Sequence, residues 1–197
     1  MAFNRKKQNN KSKGFLFAIG FLLLLVLSFY LLFKSTYVKI SDRENNIFQQ
    51  WSSIQDEYYN RFDLLGELNS SAKKYIQEDA VFDEISKIRA ELSKQTKSAR
   101  LIIKDEATLK NYTALQSKLE QNIETILTLS EKNTALSKDK AFKNLKDNLK
   151  QIHNKIESQT EKLNDDILEY NEYIQKFPQI IVAKMCKFNK ITYINKQ

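Results

Sequence analysis

At 197 residues the chain has room for one domain and a membrane segment. Its three glycines and single proline are too few for the turns of a sheet protein, so an all-α fold of a few long helices follows. The net charge of +8 suggests a nucleic-acid footprint, but five of those charges fall in residues 1–13 and four in residues 184–197, leaving a body of −1 with no basic face for a phosphate backbone.

The chain opens with a basic tail, residues 1–13, which carries Arg5, Lys6, Lys7, Lys11 and Lys13 and no acid. Residues 14–33, GFLFAIGFLLLLVLSFYLLF, hold no charge. As a helix they reach about 30 Å, the thickness of a bilayer's hydrocarbon core. A secretory signal peptide would have a shorter apolar stretch and small residues at a cleavage site. Here Phe33 is followed by Lys34-Ser35-Thr36-Tyr37, so an uncleaved anchor is expected, with the lipid bilayer as its partner. Five basic residues precede the span, and Lys34, Lys39 and Arg43 follow it closely. That bias favours a cytoplasmic N-terminus and an exported body.

The bundle proper is expected over residues 34–178. Ile47, Trp51, Ile54, Tyr58, Leu65, Leu68, Ala72 and Tyr75 repeat with alternating steps of four and three, a heptad seam in which position 61 is filled by Arg61. Nothing between Lys34 and Asn46 breaks a helix, so this seam can continue directly from the anchor. Gln77-Glu78-Asp79 interrupts it. Val81, Phe82, Ile85, Ile88 and Leu92 predict a shorter second helix, and Ser93–Arg100 a connector. Tyr112, Leu115, Leu119, Ile123, Ile126 and Leu129 predict a third helix. Ser130–Lys140 reads as a loop, with Ser137 as the N-cap of the last helix and Asp139 in its first turn. The last stripe runs Phe142, Leu145, Leu149, Ile152, Ile156, Leu163, Ile167, Tyr170, Ile174, Phe177, about 60 Å from Ser137, and Pro178 is expected to end it. The prediction is an N-terminal transmembrane helix followed by an elongated antiparallel bundle of about four helices.

Residues 179–197 form a basic, apolar tail. An even number of antiparallel helices returns the chain to its starting end, here the membrane. Ile180, Ile181, Val182, Met185, Phe188 and Ile191, interleaved with lysines, suit a headgroup-level segment; folding back on the bundle is the competing expectation. Cys186, the only cysteine, excludes an intrachain disulfide and reads as a small buried side chain.

Two blocks, WSSIQDEYYNRFDLLGEL (Trp51–Leu68) and LNDDILEYNEYIQKFPQIIVAKMCKF (Leu163–Phe188), resemble the LemA family. Trp51, Ile54, Arg61, Asp63 and Leu64 match the first pattern, and Asn164, Tyr170-Asn171, Phe177-Pro178, Ala183 and Phe188 the second. The chain departs from the pattern at Asn60, Gly66-Glu67, Asn133-Thr134, Thr160 and Leu163. The resemblance implies a bacterial protein with one N-terminal membrane helix and a helical domain, and no established activity. It also implies the opposite topology, with the domain in the cytoplasm.

Chemistry-bearing patterns are sparse. His153 is the one histidine, so neither paired Glu-x-x-His motifs nor a Cys/His zinc set can be assembled, and no Gly-rich phosphate loop is present. No cofactor, metal or catalytic residue is expected. The candidate structural or interaction residues are Trp51, Arg61, Asp63, Asn164, Tyr170, Asn171, Phe177 and Pro178. Asn164 and Asn171 lie two helical turns apart, on one edge of the stripe, where a facing helix could pair with their amides. Arg61 must be paired or must snorkel; Asp63, Asp165, Asp166 and Glu169 are candidate partners. The expected function is a membrane-anchored scaffold or interaction protein of the cell envelope with an unknown protein partner. The alternatives are a sensory, ligand-binding bundle, which needs a pocket of convergent polar groups, and a homo-oligomeric envelope spacer or remodelling factor.

Overall fold

The computed structural model describes residues 5–77, 79–95 and 98–194. The first four residues of the basic tail, Glu78 and Thr96-Lys97 in the two connectors, and the last three residues lie outside that range. Among the described residues seven helices run in chain order: α1 (Arg5–Ala72), α2 (Asp79–Lys94), α3 (Ala99–Lys104), α4 (Glu106–Lys132), α5 (Thr134–Lys138), α6 (Lys140–Tyr173) and α7 (Gln179–Cys186). There is no strand among the described residues. Four of the helices are the long ones that the apolar stripes predict. As the unbroken stretch after Lys34 implies, the apolar segment and the first seam share one helix, α1.

The chain divides into two compact units. One comprises the residues up to Asp42 with Tyr173–Asn189; the other comprises Arg43–Glu172 with Lys190 onward. In the first unit Tyr37 of α1 meets Phe188, just past α7, with ring centroids 5.6 Å apart.

The second unit holds the main core. Leu65, Leu68 and Ala72 of α1 pack with Phe82, Ile85 and Ile88 of α2, with Leu115, Leu119, Ile123 and Ile126 of α4, and with Phe142, Leu145 and Leu149 of α6. Each of these leucines, isoleucines and phenylalanines removes enough apolar area from water to contribute about 1.5–3 kcal/mol. Nearer the start of the unit, Trp51, Tyr58 and Tyr112 form an edge-on triangle with centroids 6.3, 5.9 and 5.9 Å apart.

Several local expectations are corrected. Ser137 is not the cap of α6: it lies inside α5, its hydroxyl donating to the Thr134 carbonyl at 3.2 Å. Asp139 is the cap, its Oδ1 accepting from the Phe142 N–H at 2.9 Å. Asn133 caps α5, accepting from Ala135 and Leu136. These short side-chain oxygens satisfy first-turn N–H groups that lack helical partners. The predicted loop thus contains a one-turn helix that anchors Leu136 in the core. α1 stops at Ala72, so the next heptad position, Tyr75, is exposed and Ile76 is buried instead. α6 stops at Tyr173, before the expected Phe177; Ile174 still packs, but Phe177 is 81 % exposed. Pro178 therefore does not end α6. It follows a cis peptide bond and stands at the N-cap of α7.

Candidate functional site

Arg61 sits one turn beyond Tyr58 in the α1 seam and is 3 % exposed. Its guanidinium carbon lies 5.2 Å from the Tyr58 ring centre. Nη2 donates to the Gln116 side-chain oxygen at 2.7 Å and reaches the Gln116 carbonyl at 3.4 Å; Nη1 pairs with the Glu120 carboxylate. The other Glu120 oxygen lies 3.2 Å from His153 Nδ1. One polar chain thus links α1, α4 and α6. A buried guanidinium is costly unless its charge is paired, and here both terminal nitrogens are engaged. Burial still lowers its pKa, offset by Tyr58 and Tyr112. Burial pushes Tyr58 upward and Tyr112 to about 12.

The expected partners of Arg61 are corrected. Asp166 accepts from Gln50, Glu169 pairs with Arg43 at 3.4 Å, and Asp63 and Asp165 are exposed. The true partners sit on α4, four residues apart, each one place after a stripe residue: Gln116 after Leu115, Glu120 after Leu119. That placement beside a buried stripe is the only sequence signal for them. His153, one place after Ile152 on α6, is half-buried, and the sequence does not show that it completes the Arg61 chain.

Asn164 and Asn171 hold an extended segment rather than a helix. Asn171 Nδ2 donates to the Ile191 carbonyl at 2.8 Å, and the Ile191 N–H donates to Asn171 Oδ1 at 2.9 Å. Asn164 repeats the pattern with Ile194, at 2.8 Å in both directions. Seven residues of helix rise about 10.5 Å. Three residues of extended chain span about 10 Å. The two amides therefore read the backbone of every third tail residue, in register. Ile191 and Ile194 are buried, as is Tyr170 beside Asn171. Burial raises the Tyr170 hydroxyl pKa, with Glu44 adding to the effect. The end of the tail, Lys190–Ile194, thus folds back on the bundle and is not a headgroup-level segment.

Where the two features meet lies a cleft of about 360 Å³, lined among others by Tyr58, Arg61, Gln116, Glu120, His153, Glu157, Thr160, Asn164 and Ile194. Its convergent polar groups mostly satisfy one another: Arg61 with Gln116 and Glu120, Glu120 with His153, and Asn164 with Ile194. The Arg61 Nε and the Thr160 hydroxyl are buried without a hydrogen-bond partner. Among the described residues no three His, Cys, Asp or Glu side chains are grouped to hold a metal ion.

Of the remaining candidates, Trp51 is fully buried, whereas Asp63, Phe177 and Pro178 are exposed and take no part in this site. Compared with protein-family models, residues 50–196 match the one described as the LemA family. The chain belongs to the LemA family. The matched region contains the Arg61 chain, the cleft and both tail-holding asparagines, so these features lie within the LemA-family part of the molecule. Gly14–Phe33 lies outside it. A comparison with curated proteins found no match.

Proposed function

We propose that this LemA-family chain is a single-pass protein of the bacterial cytoplasmic membrane whose helical bundle is a tethered scaffold for a protein partner, without a catalytic role. The observation that carries the reading is the surface of Gly14–Phe33. The most apolar 18 residues of this part of α1 have a mean hydropathy of 2.8, and none of that window is buried by protein. Its phenylalanines and leucines from Phe15 to Leu32 are exposed all round the helix. Leaving each in water forgoes about 1.5–3 kcal/mol, which a bilayer recovers. The scaffold reading is supported by the cleft, where Arg61 is engaged by Gln116 and Glu120, and Glu120 by His153, in links that tie helices together.

The N-terminus is placed in the cytoplasm and the bundle outside it. Orientation at insertion follows lysines and arginines within roughly 15–20 residues of the span, where five precede and three follow. The lysines after residue 183 are far from the span in sequence and do not enter that count.

Alkaline carbonate extraction of membranes tests the anchor. The full chain is expected to stay with the pellet. A Leu23→Arg, Leu24→Arg variant, which adds about 2.5–3.5 kcal/mol of insertion cost per arginine, is expected in the supernatant. Extraction of the unaltered chain would contradict the reading.

A further inference from the structure

The unit that contains the apolar segment also contains α7, and the Tyr37–Phe188 ring contact fixes the end of α7 against α1. Tyr37 stands four residues past Phe33, about 6 Å further along the helix. If Gly14–Phe33 crosses the bilayer, that is headgroup level. α7 turns Val182 and Ala183 inward, both buried. Its other face carries Ile181, 41 % exposed, and Met185, 67 %, whose four-residue spacing places both on one side of the helix. In the turn just before α7, Phe177 is 81 % exposed. Around them Lys184 and Lys187 are exposed, and no acid occurs between Tyr173 and Lys190. An apolar face bordered by cations alone, beside the end of a membrane span, is complementary to an anionic lipid surface.

We propose that α7 and Phe177 form a membrane foot: Phe177, Ile181 and Met185 enter the interface of the leaflet at which the anchor emerges, while Lys184 and Lys187 face acidic phosphate headgroups. The long lysine stems lie along the apolar face, and their ammonium groups reach outward to the headgroups. The foot gives the protein a second attachment beside its anchor and makes its seating sensitive to lipid charge. It rests on the reading that Gly14–Phe33 spans the membrane.

The test uses the full chain with Cys186→Ser, reconstituted in vesicles of phosphatidylcholine and phosphatidylglycerol. Single spin labels are placed at Met185→Cys, Leu24→Cys and Ser137→Cys. Collision with oxygen and with a water-soluble nickel chelate reports depth. The expected result is Leu24 in the hydrocarbon core, Ser137 in water, and Met185 about 5–10 Å into the headgroup boundary. Adding Lys184→Gln and Lys187→Gln, or omitting phosphatidylglycerol, should shift the Met185 label towards water. Leu24 in the core with Met185 as nickel-accessible as Ser137 would overturn the foot and leave the anchor standing. A Met185 label shielded from both reagents would overturn it in favour of a protein surface, such as a second copy. Leu24 in water would remove the anchor, and the foot with it. An unchanged Met185 depth without acidic lipid would overturn the headgroup part of the proposal.

Discussion

Arg61→Ala is expected to lower stability by about 3–5 kcal/mol, the cost of breaking a buried ion pair, against a total of roughly 5–15 kcal/mol for a domain. The substitution removes the charge that Glu120 and Gln116 are arranged to meet and leaves a gap beside Tyr58. Urea denaturation of the full chain in detergent, followed by circular dichroism, measures it. Asp63→Ala serves as the reference, because Asp63 is exposed and a surface change typically stays within about 0.5 kcal/mol. Arg61→Lys should fall between the two: it keeps the charge but loses the planar fork that reaches Gln116 and Glu120 together. The Arg61→Met, Glu120→Leu pair should cost less than the sum of its single changes, since neither charge is then stranded. If Arg61→Ala denatures with Asp63→Ala, the polar chain across α1, α4 and α6 is not a determinant of the fold.

Asn171→Ala should free the tail. It removes two hydrogen bonds and leaves both the N–H and the carbonyl of Ile191 to find water. Each unmet buried group costs about 1–3 kcal/mol, so the segment should open locally rather than stay in place unsatisfied. Amide hydrogen exchange of the full chain is expected to be about 10–100-fold faster at Ile191 and Ile194, a loss of about 1.4–2.8 kcal/mol of local protection. Asn171→Asp should do much the same. Its carboxylate can accept from the Ile191 N–H, but it cannot donate to the Ile191 carbonyl. Asn164→Ala should show a smaller effect, because that side chain is only half-buried. Unchanged exchange at Ile191 in Asn171→Ala would show that the tail is held by its isoleucines alone.

These two sites mark where sequence reasoning succeeds and where it stops. Periodicity reports which side of a helix is dry, so Trp51, Ile54, Tyr58, Leu65 and Leu68 emerge from spacing as buried, as do Leu119, Ile123 and Leu163. It also exposes anomalies: an arginine at a seam position, and two asparagines seven residues apart on a seam edge. What it does not report is which helix lies opposite. Gln116 and Glu120 look like ordinary solvent-facing residues until α4 is placed beside α1. The Asn164–Asn171 spacing is plain, but its partner is an extended stretch, Ile191–Ile194, which has no helical period to betray it. α3 and α5 have one or two turns each, too short for a stripe, so their buried Ile102, Ile103 and Leu136 are not read as core. At Phe177 the stripe continues in register after the helix has ended, because a spacing pattern does not register that the backbone has turned at Tyr173.

We propose a single span that carries the bundle outside the cytoplasm, and cysteine accessibility in intact cells tests it. In a Cys186→Ser background, single cysteines replace Ser35, just past the span, and Ser137, in α5; both positions are exposed. A membrane-impermeant maleimide is then applied before and after lysis. Labelling of both positions in intact cells is the predicted result. Protection of both until lysis, with labelling in permeabilised controls, would contradict it and place the bundle in the cytoplasm.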